Sequence, residues 1–282
     1  MQHTSAVWSL AEFPNRNLAA GNSGGVVKIW NQDTGRLIRD ITGLVLTVRK
    51  LVVLTNGNLV IADDSGAIKI WNSNDGTLIR SLYMNIYSLA KLPNQNLASG
   101  DNAGFINIWN TDTGALVKQI KAHDFGVASM AVLRNGNLAS GSYLEIKIWN
   151  MNDFSLVRTL KGHKYSVKSL VVLPNGFLAS GGEQADGTIK IWNTEDGSLI
   201  TTLANGHSVD GLVLLQNDFL ASTAFIDIKI WNTDSYSLVK VLSGHKNRVW
   251  SLVVLQNGNL ASGDANGEVK IWNFLTLISS GN

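Results

Sequence analysis

The chain has 282 residues, 45% of them hydrophobic and 16% charged, with 27 glycines, 3 prolines and no cysteine. That much apolar material excludes a disordered chain, and the absence of cysteine excludes a disulfide-stapled one. A net charge of +2 is too near balance to imply a nucleic-acid or membrane partner. No apolar run reaches the roughly 18 residues of a membrane helix. Met1-Gln2-His3-Thr4 does not open a basic region followed by an apolar one, so no secretory leader is read. No Asn-x-Ser/Thr acceptor occurs either, and the expected location is cytoplasmic.

A phrase of about forty residues recurs along the whole chain. Its marker is Trp-Asn, at Trp30, Trp71, Trp109, Trp149, Trp192, Trp231 and Trp272, spaced 38 to 43 residues apart. Each copy starts with an apolar strand that begins in a Val/Ile-x-Ser-like way (VWS, VRK, IYS, VAS, VKS, VDG and VWS), the earliest at about residue 6. An Asn-Gly turn follows, as in NGN at 56–58, 135–137 and 257–259, and predicts a tight hairpin with positive φ at both central residues. Next comes LASG, at 97–100, 138–141, 178–181 and 260–263, and then the strand that ends in Trp, such as IKIWN at 146–150. The Asn after each Trp can accept bonds from its own following backbone and open a turn, which Gly35, Gly76, Gly114 and Gly197 close in four copies. An apolar alternation such as LVKQI (116–120) ends the unit. In the third copy the strands are expected near 86–92, 96–100, 104–109 and 115–120. The last strand of the last copy is expected at 274–279, and helical periodicity is absent throughout.

A four-stranded meander has two apolar faces and cannot bury both alone. Seven arranged radially can, so the expected fold is all-β: a seven-bladed β-propeller with four antiparallel strands per blade, one domain over 1–282. The ring is expected to close by packing of the last blade on the first, without exchange of strands.

Repeats of this length, with Gly-His near the start and Trp near the end, resemble the WD-repeat propellers over essentially the whole chain. A monomeric propeller with no cofactor and no metal is expected, and the resemblance implies a non-catalytic scaffold that binds proteins or peptides. It also implies a buried network of His163, Ser180, Asp186 and Trp192, complete only in the fifth copy. Asn replaces the family's Asp after every Trp. At the network's Asp position the other copies read Gly24, Ser65, Ala103, Tyr143, Phe225 and Asn266, so the network is expected to be degraded there.

His163, Ser180 and Asp186 invite a hydrolase reading, but they stand where the structural network belongs, and no catalytic residue is assigned. The lysines two residues before Trp (Lys28, Lys69, Lys147, Lys190, Lys229 and Lys270) are expected to cover apolar surface with their stems. The informative positions are those that vary within the repeat. The x of Val/Ile-x-Ser is Trp8, Arg49, Tyr87, Ala128, Lys168, Asp210 and Trp250. These should ring one mouth of the channel, the face that the resemblance implies for partners. Trp8, Arg49, Tyr87, Lys168, Asp210 and Trp250 are therefore the expected partner-binding residues, with the tryptophans as anchors and Arg49 and Lys168 opposing Asp210. Phe125, Tyr165 and Arg248 extend the patch. The alternative reading is a glycan-binding propeller, which would repeat a surface aromatic once per blade.

Overall fold

The structure is a computed structural model and describes residues 1–273 apart from Val45, Asn85, Asn94, Gln95 and Gln184. The strand expected at 274–279 lies outside the described residues. Among them there is no helix, and the strands form antiparallel meanders.

The first sheet holds β1 (Val7–Glu12), β2 (Asn17–Asn22), β3 (Val27–Asn31) and β4 (Leu37–Ile41). The second holds β5 (Val48–Val53), β6 (Leu59–Asp63), β7 (Ala67–Trp71) and β8 (Leu78–Tyr83). The third holds β9 (Ile86–Lys91), β10 (Asn96–Asp101), β11 (Phe105–Asn110) and β12 (Leu116–Lys121), close to the expected spans. β13 (Ser129–Val132), β14 (Leu138–Gly141), β15 (Tyr143–Trp149), β16 (Leu156–Val172), β17 (Leu178–Gly182), β18 (Thr188–Trp192) and β19 (Leu199–Ala204) share one seven-stranded sheet. β16 explains it: its first part pairs with β15 and its second, Val167–Val172, with β17, so one long strand serves two units. β20 (Leu212–Leu215), β21 (Phe219–Ala224), β22 (Asp227–Asn232) and β23 (Leu238–Leu242) follow, then β24 (Val249–Val254), β25 (Leu260–Asp264) and β26 (Val269–Trp272).

The Asn-Gly turns differ from the expectation. Gly57, Gly136 and Gly258 have φ of 83°, 84° and 83°, but the asparagines before them do not have positive φ. Leu54 C=O accepts from Gly57 N–H, and Leu54 N–H donates to Asn58 C=O. The loop therefore has three residues, a turn followed by one left-handed glycine, and only the glycine needs positive φ. The turn after Trp is as expected. Asn31 Oδ1 accepts from Asp33 and Thr34 N–H at 3.1 and 2.9 Å, and Asn110 does the same for Asp112 and Thr113.

The units pack through their faces. Each apolar cluster is shared by consecutive units. One joins Ile29 and Val27 to Val48, Leu59 and Ile61, and another joins Leu255, Ala261 and Val269 of the last unit to Val7, Leu18 and Trp30 of the first. The glycine of the LASG phrase is where neighbours come closest. A Cβ on Gly100 or Gly141 would collide with Val127 or Val167 of the next unit, and one on Gly263 with Val7. The inner strands touch in sequence, β1 with β5, β5 with β9, β9 with β13, β13 with β16, β16 with β20 and β20 with β24, and β24 touches β1.

The expectation of closure without strand exchange is corrected. Met1 N and C=O bond to Val269 at 3.2 and 2.9 Å, His3 N–H donates to Gly267 C=O at 2.7 Å, and Gln2 bridges Glu268. The N-terminal residues satisfy peptide groups of 267–269 at this sheet edge.

Candidate functional site

The variable position of the inner strands comes together in space. Trp8, Arg49, Tyr87, Ala128, Lys168, Asp210 and Trp250 all line one depression of about 580 Å³, with Lys50, Phe125, Tyr143, Glu183 and Arg248. The depression continues into a narrower cavity of about 150 Å³ between the inner strands. Six residues line both: Trp8, Lys50, Ala128, Lys168, Asp210 and Trp250. Tyr165 is exposed but is not among the lining residues, whereas Phe125 is both exposed and lining.

The alternation of a strand decides what the next residue does. After the variable position five copies have serine, and it stitches unit to unit. Ser88 Oγ donates to Val127 C=O at 2.7 Å, Ser129 to Val167 at 2.7 Å, Ser169 to Val209 at 2.8 Å and Ser251 to Val7 at 3.4 Å. Ser9 Oγ accepts from Leu51 N–H at 3.0 Å. Gly211 takes the position in the sixth copy, where Thr223 Oγ1 accepts from the Asp210 and Gly211 amides instead. In the second copy it is Lys50.

Trp8 and Trp250 stack at 4.5 Å with 15° between their planes. The Arg49 guanidinium lies over the Trp8 ring at 4.7 Å, and that of Arg248 over Trp250 at 4.1 Å. Arg49, Trp8, Trp250 and Arg248 thus form one pile across the contact between the first and last units, and each indole has both faces occupied. Among the described residues the Trp8 N–H has no acceptor. The expected opposition of Arg49 and Lys168 to Asp210 is replaced by local pairs. Arg49 Nε lies 2.6 Å from Asp64, Lys168 Nζ 3.4 Å from Glu183, and Arg248 2.7 Å from Asp210. Aromatic rings do not recur once per unit at this mouth.

The buried networks are more complete than the repeat comparison suggests. His163 Nδ1 is 2.6 Å from Asp186, its Nε2 2.6 Å from Ser180 Oγ, and Trp192 Nε1–H donates to Ser180 at 2.8 Å. Burial lowers the His163 pKa against the pull of Asp186, so the ring is neutral near pH 7. Asp186 can only accept, which places the ring proton on Nδ1 and leaves Nε2 to accept from Ser180. The expected degradation elsewhere is corrected in two copies. His245 bonds Ser262 at 2.6 Å and Asp264 at 3.0 Å, with Trp272 on Ser262 at 2.7 Å. His123 bonds Ser140 at 2.8 Å and Glu145 at 3.3 Å, with Trp149 on Ser140. The acid comes from another position of the same hairpin, which is why a column-by-column reading misses it. His3 serves the first copy, with Nε2 at 3.0 Å from Ala20 C=O and its ring edge-on to Trp30. His245, Asp264 and Glu268 have ligand atoms within 4.8 Å of one another, but both nitrogens of His245 are already engaged in this network.

The lysines before Trp are tied down individually: Lys28 to Asp40, Lys69 to Asp63, Lys147 to Glu145 and Lys270 to Glu268, with Lys190 on Thr202 and Lys229 on Asn205 C=O.

Antiparallel four-stranded meanders that bury their faces on one another, around a cavity lined by their inner strands, are sheets of the kind that form propeller blades. Residues 1–31, 154–193 and 236–273 each match the family model for the WD domain, G-beta repeat. These matches at three segments support the WD-repeat family. No curated protein matches it.

Proposed function

We propose that the units form a closed, seven-bladed β-propeller that binds a protein or peptide segment at the depression lined by Trp8, Arg49, Tyr87, Lys168, Asp210 and Trp250. Contact of β24 with β1, and the apolar cluster shared by the last and first units, support a closed ring. One observation carries the binding reading: the residues that vary within an otherwise uniform repeat line a single concavity. Uniform positions hold units together, and that role makes no distinction between copies. The variable ones alone can distinguish a ligand. Rings supply much of the contact area. Tyr87 is 48% exposed, Phe125 59% and Tyr143 39%, and the rings of Phe125 and Tyr143 meet edge-on at 5.1 Å. The stacked tryptophans form the wall rather than the anchors, because their faces are filled. The protein works by binding rather than by catalysis on this reading, and Ser180, fully buried beneath Trp192, is structural.

The test is affinity capture with mass spectrometry, comparing wild type with Tyr87→Ser combined with Phe125→Ser. Both side chains are exposed, so the variant should fold. Partners held at the mouth should be lost from the variant. An identical partner set in a folded variant sinks the site.

A further inference from the structure

The charges of the depression do not balance. Arg49, Lys50, Lys168 and Arg248 line it against Glu183 and Asp210. Arg49 is neutralised by Asp64, Lys168 by Glu183 and Arg248 by Asp210. Lys50 is left over: no ion pair or side-chain hydrogen bond to it exists among the described residues. It lines both the mouth and the narrower cavity beneath, at the position where five other units have the stitching serine. The chain thus gives up one inter-unit hydrogen bond there and holds an uncompensated cation at the neck of the channel.

We infer that Lys50 is an anchor for a side-chain carboxylate, and that the partner segment carries an Asp or Glu next to an aromatic or large aliphatic residue. The inference rests on the mouth being a peptide-binding surface, and adds its ligand chemistry. The acid enters the neck and meets the ammonium, while its neighbour lies on the exposed rings of Phe125 and Tyr143. Lys50 is half-buried, and its partial removal from water pulls its pKa below the usual lysine value. A carboxylate supplies the missing countercharge, and a charge-assisted bond in such a place outweighs one on an open surface.

The test uses a random hexapeptide library on beads, acetylated at the N-terminus and joined through its C-terminal amide, so that only side chains carry acid. It is screened against wild type, Lys50→Ser, Lys50→Met, and Tyr87→Ser with Phe125→Ser. Serine is the residue of the sister units, and methionine keeps most of the stem without the charge. Wild type should enrich Asp or Glu at one position beside an apolar residue. Selected peptides should bind both Lys50 variants about tenfold or more weakly. Changing the acid to its amide should weaken wild type equally and leave Lys50→Met unaffected. Enrichment without an acid, or acid enrichment indifferent to Lys50→Met, overturns this inference and leaves the mouth reading standing. No enrichment at all, or enrichment indifferent to the Tyr87/Phe125 change, overturns both.

Discussion

Lys50 and His163 are the two residues whose surroundings have the plainest consequences. A lysine whose folded pKa is depressed favours unfolding while it stays charged, because the unfolded chain holds that proton more readily. Its stability contribution therefore improves as pH rises toward the unfolded value of 10.5. Lys50→Ser removes the half-buried charge and restores the stitching hydroxyl, so it should raise unfolding stability at pH 7 by about 1 kcal/mol in a denaturant titration. A destabilised variant would mean that the ammonium is satisfied where it is. For the histidines the sign points the same way. His3, His123, His163 and His245 all have pKa values lowered by burial from 6.5. The unfolded chain takes up these protons first as pH falls, so stability is fully present above 6.5 and declines below it. Melting temperatures measured from pH 7.5 down to 5 should fall, and replacing His163 by Gln should flatten part of that slope. Ser180→Ala leaves Trp192 Nε1–H without an acceptor and His163 Nε2 without its donor, and should lose about 1–3 kcal/mol.

At the scale of the element, two kinds of glycine need separating. Gly35 closes a turn at φ 68° with open space around it, so Gly35→Ala should cost about 1 kcal/mol for backbone strain alone. Gly100 sits inside β10, where an added methyl group meets Val127 Cβ at 2.6 Å and the Ser88 hydroxyl besides. Gly100→Ala should therefore cost more, about 1–3 kcal/mol, through separation of neighbouring sheets. Equal losses in thermal unfolding of the two variants would show that the sheets yield at that contact. The turn after Trp shows how a strained position can be kept. Phe154 and Tyr236 stand at the glycine's place with φ of 63° and 56°, and each packs against an apolar cluster. Burial of a large ring offsets the left-handed backbone in those two copies.

In the molecule as a whole, stability depends on how the last unit meets the first. Gly267, at φ 82°, lies 2.6 and 2.7 Å, measured from a modest added Cβ, from the carbonyls of His3 and Ser5. Gly267→Ala should push the N-terminal residues off the edge of β26, and the Val269 amide, which donates to Met1 C=O, should lose protection from hydrogen exchange. Unchanged protection would show that the N-terminal pairing does not depend on that approach. Much of this arrangement was legible in the residues alone. The spacing of Trp-Asn, the LASG phrase and the period-two alternation determined the repeat, its strands and the set of variable positions, because each arises from local geometry that the same few residues impose in every copy. The tertiary structure alone decided which charges cancel, that Trp8 and Trp250 cover each other's faces, that Asp264 and Glu145 complete networks from unaligned positions, and that residues 1–3 pair with 267–269. The tryptophan stack and the N-terminal pairing depend on distances between units far apart in the chain, and most of the charge pairs and the network acids on which side chains face one another within a unit; a repeat pattern carries neither.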